Sequence, residues 1–151
     1  MIKIILIATA ISLAVGYDFP MYKQCDPKWA HEQLGTSSNT ICSAGCLMSS
    51  AAMALYGIGN TQFNPSTLNK WLTANGGYES GDLFVWESIN KFGMTFIGKV
   101  TRDKIIPYLD SGYLAFPNVH DGRHWVLAFG HDGGNILVHD PNYTTPSYTL
   151  D

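Results

Sequence analysis

The chain has 151 residues, 46% hydrophobic and 14% charged, with 9 Lys+Arg against 12 Asp+Glu and a formal charge of -3. A chain of this length forms one domain and buries about 68–70% of its unfolded surface, which excludes wholesale disorder. The mildly acidic balance, with no run of Lys or Arg, excludes nucleic acid and anionic membranes as partners.

Met1 to Gly16 carries Lys3, an apolar run from Ile4 to Val15 and the small-x-small ending Ala14-Val15-Gly16. That pattern predicts a secretory signal peptide over 1–16, leaving a single domain over 17–151. The run is too short to span a bilayer, and no later stretch reaches the roughly 20 apolar residues required. The mature protein is therefore expected to be secreted, or delivered to the lumen of an acidic vesicle such as a lysosome or phagosome. It is expected to act as a monomer with no membrane contact.

Three cysteines follow, Cys25, Cys42 and Cys46. An odd number in an oxidising compartment means either a structural pair plus a thiol kept free for chemistry, or a pair plus an incidental or intermolecular cysteine. A Cys25–Cys42 bridge would contribute about 3 kcal/mol in the chain-entropy model. Cys46 would then be the free thiol.

Ser43 or Ala44 begins a segment through Cys46, Met48, Ala52 and Leu55 to Gly57-Ile58-Gly59, apolar at helical spacing and closed by glycine; it predicts a buried helix. Asn64-Pro65 is a cap followed by proline at the first helical position, with Leu68, Trp71 and Leu72 as the apolar stripe of a second helix. Leu83, Trp86, Ile89 and Phe92 continue the helical period into Gly93; Met94 to Val100 reads as a strand, and Thr101 caps a short helix limited by Pro107. From Gly112 the period changes. Gly112–Phe116, His124–Gly130, Asn135–Asp140 and Ser147–Leu150 read as short strands between Pro, Gly, Asn and Asp. Helices first and strands after predict an α+β domain, N-terminal helices packed on a C-terminal antiparallel sheet.

Cys46 falls at the start of the first helix, where unsatisfied backbone N–H groups and the helix dipole stabilise an anion. A thiolate is favoured there, and a neighbouring histidine would complete a nucleophile–base pair. His124 opens a strand that turns through His131-Asp132-Gly133-Gly134 and returns to Asp140. If Asp132, Gly133 and Gly134 form a three-residue loop, Asp140 lies opposite Val126 and shares a face with His124; a two-residue loop would place them on opposite faces. His124 and Asp140 on one face would be a base and its orienting carboxylate. His120, His124, His131 and His139 crowd into twenty residues, but their spacing and the absence of a nearby Cys or Glu cluster do not suit zinc. No metal or cofactor is expected. Gln24 can supply a side-chain donor to an oxyanion beside the backbone N–H of the nucleophile.

The order Gln24, Cys46, His124, Asp140, together with Tyr22-Lys23-Gln24, Asp26-Pro27-Lys28-Trp29, Leu34-Gly35, Ala44-Gly45-Cys46, His124-Trp125-Val126 and Asp140-Pro141, resembles the papain-like superfamily. The resemblance is nearer to bacteriocin-processing (double-glycine leader) peptidases and their stand-alone secreted relatives. It implies a papain-like fold, with Gln24 in the oxyanion hole, Cys46 as nucleophile, His124 as base and Asp140 as its orienter. The implied activity is hydrolysis of a peptide or protein substrate through a thioester. Where that family usually continues with Gly-Pro-Thr, this chain has Leu47-Met48-Ser49-Ser50. That departure admits an alternative, an inactive papain-like domain that binds peptides or partners; a third reading is a small disulfide-stabilised structural protein with Cys46 inert. Asn142-Tyr143-Thr144 is a glycosylation sequon.

Overall fold

The computed structural model describes residues 4–9 and 17–150. Helix α1 (Ile41–Ala44) opens on a capping box: the Thr40 hydroxyl accepts from Ser43 N, and the Ser43 hydroxyl accepts from Thr40 N. Such a cap stabilises a helix start by about 1 kcal/mol. Helix α2 (Cys46–Gly57) starts immediately after Gly45. The sequence pattern predicts one helix from Ser43 or Ala44; the chain instead makes two, joined at Gly45. A Cβ on Gly45 would sit 2.5 Å from the Ile41 carbonyl oxygen and 3.0 Å from Ile41 Cα, so the backbones meet only because it is glycine. Cys46 thereby becomes the first residue of its helix. From Met48 to Leu55 every residue of α2 is buried, which makes it the central core helix.

Helix α3 (Pro65–Ala74) follows its sequence signal, with the Asn64 side chain accepting from Thr67 N and Pro65 at the first position. The predicted helical stretch from Leu83 to Phe92 divides. Strands β2 (Tyr78–Glu79) and β3 (Leu83–Phe84) form a hairpin reversed through Ser80 and Gly81, both at positive φ, and only Trp86–Phe92 winds as a 3-10 helix. Strand β4 (Met94–Val100) and helix α4 (Ile105–Asp110) come next. Pro107 is tolerated in α4 because its missing N–H lies within the first turn, where no intrahelical acceptor exists.

The remaining strands are β5 (Leu114–Val119), β6 (His124–Trp125), β7 (Leu127–Asp132), β8 (Asn135–His139) and β9 (Ser147–Thr149). With β1 (Ile4–Thr9) they build a curled antiparallel sheet in the order β4-β1-β5-β7-β8-β9, with β6 on β5. On β5, Leu114 and Phe116 point into the core shared with α2 and α3, while Ala115 and Val119 join Ile105, Leu109, Val126 and Ile136 beneath α4. The α+β class holds, with helices against an antiparallel sheet. The second face, covered by α4, is a feature the helices-then-strands pattern does not reveal.

The β7–β8 turn corrects the expected three-residue loop. Asp132 pairs with Asn135 and His131 with Ile136, so the turn has two central residues, Gly133 and Gly134. By itself that register would send His124 and Asp140 to opposite faces. A bulge at Phe129, between the pairs Ala128↔Val138 and Gly130↔Leu137, adds one residue to β7 and restores the opposite parity; Leu127 then faces His139. Cys25 and Cys42 form a disulfide, and Cys46 is free.

No helix among the described residues is long and apolar enough to cross a membrane. The signal-peptide reading covers 1–16, of which 1–3 and 10–16 lie outside the described residues; Ile4–Thr9 pairs with β4 on one side and β5 on the other. Among the described strands, β4 pairs with β1 alone. In a chain beginning at Tyr17, amide hydrogen exchange is therefore expected to be fast across Met94–Val100 and slow across β7 and β8. Equal protection of β4 with and without residues 1–16 would contradict this pairing.

Candidate active site

The site is built where the N-terminus of α2 meets β6 and the end of β8. Cys46, at the first position of α2, is half-buried. Gly45 supplies no side-chain cap, so the first-turn N–H groups stay open to an anion at this point. A hydrogen bond of 3.4 Å from the Ser50 hydroxyl to Trp125 O ties α2 to the strand that carries His124.

His124 is held in β6 by its pairing with Val119 and is 6% exposed. It donates its Nε2–H to Asp140 Oδ1 at 2.7 Å. An ionised carboxylate only accepts, so this bond fixes the tautomer and leaves Nδ1 as the ring atom free to serve Cys46. Burial lowers the His124 pKa, but hydrogen bonding and charge from Asp140 and Cys46 outweigh burial and push it up to about 9.

Asp140 is fully buried. Its Oδ1 also accepts from the backbone N–H groups of Asn142 and Tyr143, each at 2.8 Å, and its Oδ2 accepts from the Tyr148 hydroxyl at 2.6 Å. Burial alone would raise this carboxyl; the hydrogen bonds from His124, Tyr148 and the two amides hold it down to about 2.

Gln24 enters from the N-terminal segment and is stitched to both sides of the site. Its backbone N–H donates to Pro141 O at 2.8 Å, and its side-chain amide donates to Cys42 O at 2.6 Å. One amide hydrogen remains uncommitted on a residue that lines the same cleft as Cys46 and His124. The neighbouring Lys23 donates to the carbonyls of Asp140 and Tyr143, at 2.7 and 2.5 Å. The cleft is about 690 Å³, and Leu47, Met48, Phe84 and Trp125 contribute apolar wall. Leu47 and Met48, which follow Cys46 directly, are cleft wall, with Met48 also part of the core.

Of the four residues singled out in the sequence, Gln24, Cys46 and His124 line one cleft, and Asp140 lies buried behind His124. Of the other clustered histidines only His120 lies beside His124: His131 meets Asp110 at 2.8 Å and His139 packs against Phe19 and Phe129, and no metal-binding cluster is present among the described residues. Tyr148 and His120 escaped the sequence reading as partners of this site. In the sequence Tyr148 is an ordinary strand residue, and His120 is one of four clustered histidines. Neither carries a local signal of its role: Tyr148 reaches Asp140 only once β9 folds back onto β8, and His120 reaches Tyr148 across 28 residues of chain.

Compared with protein-family models, curated proteins and solved structures, the chain matches none.

The two shifts predict how stability depends on pH. His124 is raised above its ordinary 6.5, so its contribution is complete below 6.5 and is lost as pH rises through about 9. Asp140 lies below its ordinary 3.8, so its contribution is complete above 3.8 and is lost as pH falls through about 2. Urea unfolding is expected to show the largest contribution from this pair between 3.8 and 6.5. His124→Ala should flatten the alkaline decline in that titration.

Proposed function

We propose that this chain is a secreted cysteine peptidase of papain-like fold, acting in the extracellular space or an acidic vesicle lumen on a peptide or protein substrate. The observation that carries the reading is the juxtaposition of Cys46, at a helix N-terminus, with His124, whose far nitrogen is held by the buried Asp140 carboxylate. In the proposed reaction His124 Nδ1 takes the Cys46 proton and the resulting thiolate attacks an amide carbonyl. The Cys46 N–H and the uncommitted Gln24 amide hydrogen stabilise the oxyanion. Collapse expels the amine, which takes the proton from His124 and leaves a thioester. Water, deprotonated by His124, then releases the acid and regenerates the thiol. Every step uses groups of this chain and needs no cofactor.

Iodoacetamide labelling with mass mapping tests the nucleophile–base pair. Cys46 is expected to be the residue labelled, and His124→Ala should slow its labelling at about pH 6 by roughly 100-fold. Labelling indifferent to His124 would leave a binding module or an inert structural thiol as the better reading.

Gln24 makes a separate prediction. Removing one oxyanion donor typically costs 10²–10³ in turnover, so Gln24→Ala should cut peptide hydrolysis by roughly that factor. Cys46 labelling should persist in the same variant, because alkylation forms no oxyanion.

A further inference from the structure

We infer that Tyr148 is a positioning residue for the Asp140 carboxylate, oriented in turn by His120, so that the last strand of the sheet completes the site. The inference rests on the peptidase reading of Cys46 and His124 and adds two residues to it.

Donor and acceptor accounting carries the step. Asp140 is fully buried, and three N–H groups converge on its Oδ1, from His124, Asn142 and Tyr143. Oδ2 is met by the Tyr148 hydroxyl at 2.6 Å. A buried carboxylate oxygen without a donor is costly, and a carboxylate anchored at one oxygen alone can swing about its Cβ–Cγ bond. Tyr148 supplies the second anchor and so fixes the plane in which Oδ1 faces His124. The phenol has one hydrogen. With that hydrogen on Asp140, the hydroxyl oxygen can only accept from His120 Nε2, which lies 3.1 Å away, and this assigns the His120 Nε2–H tautomer. Burial and the adjoining carboxylate raise the Tyr148 pKa, so the phenol remains a donor wherever Asp140 is ionised.

His120 is placed for the task by its backbone. It follows β5 directly, with Asp121 beside it, both in the left-handed region at φ 51 and 57. Its ring lies 4.8 Å from that of Tyr143 and 5.8 Å from that of His124, and it lines the cleft. The hydrogen-bonded chain His120–Tyr148–Asp140–His124 therefore runs from the cleft wall, behind the carboxylate, to the base.

The test compares Tyr148→Phe and Tyr148→Ala with wild type, reading Cys46 labelling by iodoacetamide and, for the acid limb, by a dipyridyl disulfide, with fold monitored by near-UV circular dichroism. Phenylalanine keeps the ring and removes only the hydroxyl. Tyr148→Phe is expected to stay folded, to label about 10-fold more slowly, and to show the acid-side fall in rate at higher pH than wild type, because the carboxylate has lost a donor. If ring packing alone mattered, Phe would match wild type in rate and pH profile while Ala did not, and the inference would be overturned. His120→Asn keeps tolerance for the left-handed backbone and should slow labelling about three-fold; an unchanged rate removes His120 from the chain of bonds. His124→Ala is the control. If His124→Ala is slow and Tyr148→Phe is unchanged, only this inference fails; if His124→Ala is unchanged, the peptidase reading fails and takes the inference with it.

Discussion

A carboxylate removed from water needs hydrogen-bond donors at both of its oxygens, and the placement of Asp140 follows from how the fold meets that demand. Its four donors come from β6, from two consecutive amides just after Pro141, and from β9. None is close enough in the chain to be guaranteed by local structure except the two amides. The sheet must therefore be complete, from β5 through β9, before the carboxylate can be both buried and charged. Once that is achieved, the same bonds hold His124 in one tautomer and stabilise its protonated form.

The nucleophile's side of the cleft depends on a different constraint, the close approach at Gly45. It ends α1 against Ile41 and lets α2 begin at Cys46, so the thiol sits at a helix N-terminus rather than inside a longer helix. The Cys25–Cys42 disulfide and the Gln24 bonds to Cys42 and Pro141 then join the two halves of the cleft. A segment with little regular structure of its own is positioned by these links and by the Lys23 bonds to the carbonyls of Asp140 and Tyr143. This explains why Gln24 is 5% exposed although it belongs to no helix or strand.

How much was legible beforehand differs from element to element. The Asn64-Pro65 start of α3 and the strand Met94–Val100 were readable because capping chemistry and alternation are local. Leu83 and Phe84 were misread as helical because their apolar spacing fits both periods, and the positive-φ turn at Ser80-Gly81 decides for a hairpin. The pairing of His124 with Asp140 was expected on the assumption of a three-residue loop. The observed turn is one residue shorter and the Phe129 bulge makes up the difference. His124 and Asp140 are hydrogen-bonded through a register that differs from the expected one.

By itself the sequence determined the chemistry available: an odd number of cysteines, a histidine and an aspartate in neighbouring strands, a glutamine upstream, and the α+β class. These are matters of residue type and short-range periodicity. Only the tertiary structure decided that Tyr148 and His120 stand behind Asp140, that a bulge rather than a loop sets the hairpin's parity, and that α4 closes the second face of the sheet. Each is a contact that exists only once strands and helices pack together, or a one-residue slip in register. Burial and hydrogen-bond satisfaction select such features globally, so no window of the sequence contains them.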